Sequence, residues 1–246
     1  MRKILFALLF CVVPLLVQAS EEDMHLDKAN IDPHDQASLQ RGAKIFVNYC
    51  MGCHSADFER YNGMGHDIGL SDQQVMQNLM FAGEKIGDYM TIAMPPADAK
   101  IWFGTTPPDL SVVARARGVD WLYTYLRSFY LDDKRPFGVN NVVFKDVAMP
   151  HVLWELQGWQ KPVYKTEKGE DGQPEQVLEK LEIVTPGSMS PDDFDATVRD
   201  LVNFLSYMGE PAKLERQSLG IKVLLFLAVF FVVAYLLKKE YWKDIH

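Results

Sequence analysis

Apolar and polar positions alternate along this 246-residue chain in short helical stretches joined by long connectors. Leu39, Ala43, Phe46, Val47 and Cys50 fall on one face, which predicts a helix over 37–50. Ser71 has the chemistry of an N-cap for a helix carrying Val75, Met76, Leu79 and Met80, with Gly83 as its stop. After Pro107-Pro108, a short helix is expected from Asp109 to Arg117, ended by Gly118. Asp120 then reads as the cap of an aromatic helix with Trp121, Tyr125 and Phe129 stacked at four-residue spacing, an arrangement expected to be core.

Two segments stand apart. In 161–185 the period changes: Val163–Lys165 and Val177–Val184 read as two strands around the polar turn 169–174, a surface β-hairpin inserted in a helical domain. The best-punctuated helix follows. Ser190 caps it, Pro191 takes the first helical position, and Asp192 and Asp193 complement the dipole. Phe194, Val198, Leu201, Val202, Leu205 and Met208 form its apolar stripe, with Gly209 and Pro211 closing it.

Both ends are apolar in a different way. Arg2 and Lys3 precede an apolar run from Ile4 to Val17, and Val17-Gln18-Ala19 has the small residues of a cleavage site. This predicts an export signal over residues 1–19, whose removal takes Cys11 with it. Leu219 to Leu237 is apolar except for Gly220 and Lys222; nineteen residues rising 1.5 Å each span roughly 28 Å, enough for a bilayer core. Lys238, Lys239 and Lys243, with Tyr241 and Trp242, follow it and place the 238–246 tail on the cytoplasmic side. Residues 20–218 then form one exported domain, held at the cell membrane by a single span over 219–237.

Charge adds a constraint. The chain has 25 Lys and Arg against 33 Asp and Glu. Two of the basic residues precede Ser20; four basic and two acidic residues follow Ser218. The exported portion therefore carries about −12 with histidines neutral, which excludes nucleic-acid binding through backbone charge and favours a basic partner.

Five residues carry the chemistry. Cys50-Met51-Gly52-Cys53-His54 has the spacing that attaches c-type haem: two thiols form thioethers to the porphyrin, and the adjoining imidazole ligates the iron. The alternatives fit less well, since a zinc site lacks a second cysteine pair and a dithiol redox site leaves His54 without a role. Electron shuttling needs a second axial ligand. Met94 before Pro95-Pro96 and Met149 before Pro150 are the methionine candidates, and His66 and His151 compete with them. Spacing alone does not choose.

Several motifs in order give a resemblance. Arg41-Gly42 precedes the Cys50 motif, and Pro107-Pro108-Asp109-Leu110-Ser111 is followed by Arg115 and Arg117. Ala148-Met149-Pro150, the capped helix ending in Gly209-Glu210-Pro211 and the C-terminal span complete the set. Together they resemble the cytochrome c1 family, the haem-bearing subunits of the quinol–cytochrome c oxidoreductase or bc1 complex, over most of the mature chain. The resemblance implies a mainly α fold, a cytochrome c-type haem domain with insertions and one transmembrane anchor. It implies one covalent haem c, with Met149 as distal ligand beside His54, Pro107 and Pro108 packed on the haem, and Arg117 at a propionate. It further implies electron transfer from a Rieske iron–sulfur protein to a c-type cytochrome, beside cytochrome b, in a dimeric complex of the bacterial inner membrane with the haem domain in the periplasm. No bond-making catalysis is expected. Two departures are visible: the 161–185 stretch is longer than the family's short hairpin, and 54–107 is compact and lacks further cysteines. Two rival functions are a tethered cytochrome feeding a terminal oxidase directly and a gas-binding haem sensor.

Overall fold

The structure, a computed structural model, describes residues 25–168 and 173–243. The expected export signal over 1–19, the 169–172 part of the expected turn and the last three residues lie outside the described residues.

The domain is built on two helices that cross closely. Helix α1 (Gln36–Ile45) is capped by Asp35, whose carboxylate accepts from the Ser38 amide. It packs on the long C-terminal helix of the domain, Pro191–Gly209, where Phe46 meets Phe204 at 5.6 Å. The approach is possible because residue 42 is glycine: a Cβ there would lie 2.1 Å from the Asp200 carbonyl oxygen. Arg41 beside it pairs with Asp200, whose other contact is the Ser38 hydroxyl. The Arg41-Gly42 pair is thus a packing device, one residue allowing contact and the other fixing its register.

Past Ile45 the helix widens into a π turn, Phe46–Cys50, in which the Met51 amide bonds the Phe46 carbonyl. A small sheet then pairs β1 (Ala56–Arg60) with β2 (Tyr89–Met90), flanking α2 (Tyr61–Asp67) and α3 (Asp72–Asn78). Ser71 caps α3, as its sequence predicts, and the structure adds a reciprocal capping box with Gln74. The helix ends at Asn78, short of Gly83, and Met76 faces solvent rather than the core.

Helix α4 (Pro96–Phe103) leads to α5 (Val113–Arg117) and α6 (Val119–Arg127). Residues 109–112 are not helical, because Asp109 and Ser111 are engaged elsewhere. Gly118, at φ 88°, separates the two helices and is the N-cap of α6. Asp120 instead reaches back across the chain to the Ala29 amide and Lys28, fastening the N-terminal segment. Phe129 lies beyond the helix, in β3 (Phe129–Leu131), which pairs antiparallel with β4 (Val139–Asn141).

After the one-turn helix α7 (Trp154–Gln157), the strands β5 (Gly158–Lys168) and β6 (Pro174–Pro186) form an antiparallel hairpin. It exceeds the expected 163–165 and 177–184 at both ends, since pairing continues from Gly158 to Pro186. The long helix Pro191–Gly209, α8, follows as predicted, with the Ser190 hydroxyl accepting from the Asp193 amide. Helix α9 (Lys213–Tyr241) closes the chain; its Ser218–Tyr241 portion is long and apolar enough to cross a membrane and has no buried residue in its apolar window. The fold is mainly α, with a haem-domain core, an inserted hairpin and an apolar C-terminal helix, as the sequence implies.

Candidate functional site

A cavity of about 450 Å³ opens between the π turn, α5, α6, α8 and the loop after β4. Its walls are almost entirely apolar, in the size range of small-molecule and cofactor sites. Each of the seven residues singled out for the cofactor, Cys50, Cys53, His54, Pro107, Pro108, Arg117 and Met149, lines it.

Cys50 reaches the wall from the end of the π turn, and the chain then folds back sharply. The amides of Cys53 and His54 both bond the Cys50 carbonyl, at 3.0 and 2.9 Å, which turns all three side chains toward the same space. Neither Cys50 nor Cys53 is in a disulfide. Burial pushes the Cys50 thiol up to about 12 and raises Cys53 as well.

His54 is oriented from the opposite wall. Its Nδ1 lies 2.7 Å from the Pro108 carbonyl oxygen, an acceptor, so Nδ1 carries the proton and Nε2 keeps a free lone pair. Burial lowers the ring's pKa, which favours this neutral form. Pro108 itself is held by the segment that follows. The Leu110 amide donates to the Ser55 carbonyl, the Asp109 carboxylate accepts from the Asp57 amide at 2.8 Å, and the buried Ser111 hydroxyl accepts from Phe58. Thus Asp109 and Ser111, missed as functional positions in the sequence, clamp the proline pair against the strand after His54.

Met149 arrives on a loop shaped by buried asparagines. Asn141 accepts from the amides of Val143 and Phe144 and donates to the Tyr125 carbonyl. Asn140 accepts from the amide of Asp146, which sits at φ 61°, and Arg135 binds the Asp146 carbonyl. Of the four distal candidates, Met149 lines the cavity; Met94, His66 and His151 do not. His66 is exposed beside Asp67. His151 is buried flat against Phe129 at 5.0 Å, and burial lowers its pKa to about 4.

Arg117 stands exposed at the rim, over the rings of Trp121 and Phe144. Among the described residues no carboxylate pairs with it, so a cation faces an apolar cavity without a counter-ion. Trp121 and Tyr125 pack in or against the core, as expected, and also line the cavity, as do Leu201 and Leu205 from the stripe of α8. The stripe pattern shows that these residues are covered but not by what; the hydroxyl of Tyr125 within it was the available signal.

The residues fit a covalent haem: two adjacent thiols, an imidazole with its far nitrogen free, a thioether, an apolar slot and an unpaired cation where an acidic substituent would sit. Residues 27–245 match the family model described as the Cytochrome C1 family. The chain is 52% identical over its full length, and that of the relative, to cytochrome c1 of Allochromatium vinosum. It is 50% identical, again with both chains fully covered, to a Nitrosomonas europaea protein named ammonia monooxygenase gamma subunit. Among solved structures, a chain of a hyperthermophilic respiratory Complex III aligns over 100% of this chain and 98% of its own, at 15% identity and a TM-score of 0.44.

Proposed function

Since the chain belongs to the cytochrome c1 family and carries one covalently bound haem c, we propose that the described cavity holds that haem and that the protein is the electron-transferring subunit of a bc1 complex. Cys50 and Cys53 bind it through thioethers. His54 Nε2 and Met149 Sδ would ligate its iron, Pro107 and Pro108 would pack against it, and Arg117 would neutralise a propionate. When bound there, the haem would supply one-electron ferric/ferrous chemistry. The protein's part is to hold the two ligands, exclude water and balance charge: thioether ligation and an apolar wall favour the less charged ferrous state and raise the potential.

The observation that carries this reading is the convergence of all seven residues on one apolar cavity, with the His54 tautomer already set by Pro108. We assign residues 1–19 as an export signal, 20–218 as the periplasmic haem domain, 219–237 as the inner-membrane span and 238–246 as a cytoplasmic tail. The electron donor is then a Rieske iron–sulfur protein, the acceptor a c-type cytochrome, and cytochrome b the membrane neighbour in a dimeric complex. The net negative charge of the exported portion suits a basic acceptor.

The similarity to the Nitrosomonas protein supports a second reading, in which the same haem serves the assembly for which that relative is named. Purification of the native complex in mild detergent separates them. Cytochrome b and an iron–sulfur subunit should accompany the chain; subunits of an ammonia monooxygenase, or of a terminal oxidase, would redirect the assignment.

A further inference from the structure

Tyr125 occupies a defended position in the cavity wall. Trp121 stacks on its ring at 4.9 Å and 9°, and Phe129 meets it edge-on at 5.1 Å, so the ring is held between two neighbours. From there its hydroxyl donates to Met149 Sδ at 3.3 Å, and among the described residues this sulfur is its hydrogen-bond partner. A thioether sulfur has two lone pairs; one can bind a metal while the other accepts a proton.

The geometry points to Tyr125 as a positioning residue that sets the haem potential through Met149: the hydroxyl draws electron density from the sulfur, and so weakens sulfur donation to iron. Ferric iron depends on that donation more than ferrous iron does, so the hydrogen bond shifts the equilibrium toward the ferrous state. The same bond fixes the direction of the flexible methionine side chain, which has three rotatable bonds of its own. This inference rests on Met149 being the distal ligand.

The test is potentiometric titration of the detergent-solubilised full chain bearing Tyr125→Phe, which keeps both ring contacts and removes only the hydroxyl. Covalent haem and the near-infrared methionine–ferric charge-transfer band should persist. The ferrous/ferric ratio at fixed potential should fall about threefold, equivalent to roughly 30 mV at 59 mV per tenfold for one electron. In a Met149→Leu background the same substitution should shift nothing, because the acceptor is gone. An unchanged or raised potential in Tyr125→Phe overturns the inference, and so does an equal drop in both backgrounds, which would reflect cavity polarity and not the bond to sulfur. A Met149→Leu protein that retains the charge-transfer band would refute the ligand assignment itself, an outcome distinct from failure of the tuning role.

Discussion

The cavity wall and the surface of α9 are both apolar, but the wall residues are buried within the domain while those of α9 face outward. They differ in shape and in what interrupts them. Around the cavity, Leu122, Leu126, Leu201 and Leu205 form a concave wall broken by a few fixed polar or sulfur atoms on His54, Met149, Tyr125 and Arg117. Along α9, residues such as Leu224, Val229 and Phe231 project outward with more than three-fifths of their surface exposed, on every side of the helix and without polar interruption between 223 and 234. A concave surface with placed donors selects one molecule in one orientation. A convex, uniform one selects a phase, which on the proposed topology is the lipid interior. Apolar character alone therefore does not tell the two surfaces apart; the placed polar atoms do.

This contrast predicts that the two surfaces can be disabled independently. The largest effect is expected from ending the chain before Leu219. The truncated protein should leave the membrane fraction and remain red, as measured by haem absorbance in the supernatant after ultracentrifugation; retention in the pellet would mean that another segment anchors it. Replacing Cys50 and Cys53 together by alanine should do the reverse. Denatured protein should then carry no covalent haem on a haem-stained gel, while any accumulated chain stays with the membrane. Much of that chain should be unstable, since the cavity walls lose their contents.

A smaller effect lies away from both surfaces. Glu59 is buried, and burial together with the nearby Asp67 carboxylate raises its pKa to about 7. The folded state therefore binds a proton that the unfolded chain, with its carboxyl near the ordinary 4.5, has already released. Stability should fall as pH rises from about 4.5 to about 7 and level off above that. Glu59→Gln should flatten this slope, so that the variant gains on the native protein at pH 8 relative to pH 5, as read from denaturant midpoints. Equal pH profiles for the two proteins would show that Glu59 does not hold its proton.

How much of this was legible in the chain follows from the range over which each signal acts. Cys50, Cys53 and His54 declare themselves because one turn of backbone sets their geometry. Ser190-Pro191 and the Ser71 cap are equally local, and both helices begin where their punctuation says. The Asp120 cap failed because its carboxylate found the Ala29 amide, 91 residues away, in preference to its own helix. The clamp of Asp109 and Ser111 on residues 57 and 58 was hidden for the same reason. Tyr125 is core, as its period implies, and it lines the cavity as well; the period marks a covered face without separating the two roles. Met94 and Met149 share a following proline and differ only in tertiary placement, which no local pattern encodes.

That pair gives the most direct test. In the oxidised full-length protein the near-infrared methionine–ferric charge-transfer band should be present. Met149→Leu should abolish the band, lower the potential and admit carbon monoxide to the ferrous haem, while Met94→Leu leaves all three as they are. Loss of the band in Met94→Leu with retention in Met149→Leu would contradict the assignment of this cavity as the place where the iron is held.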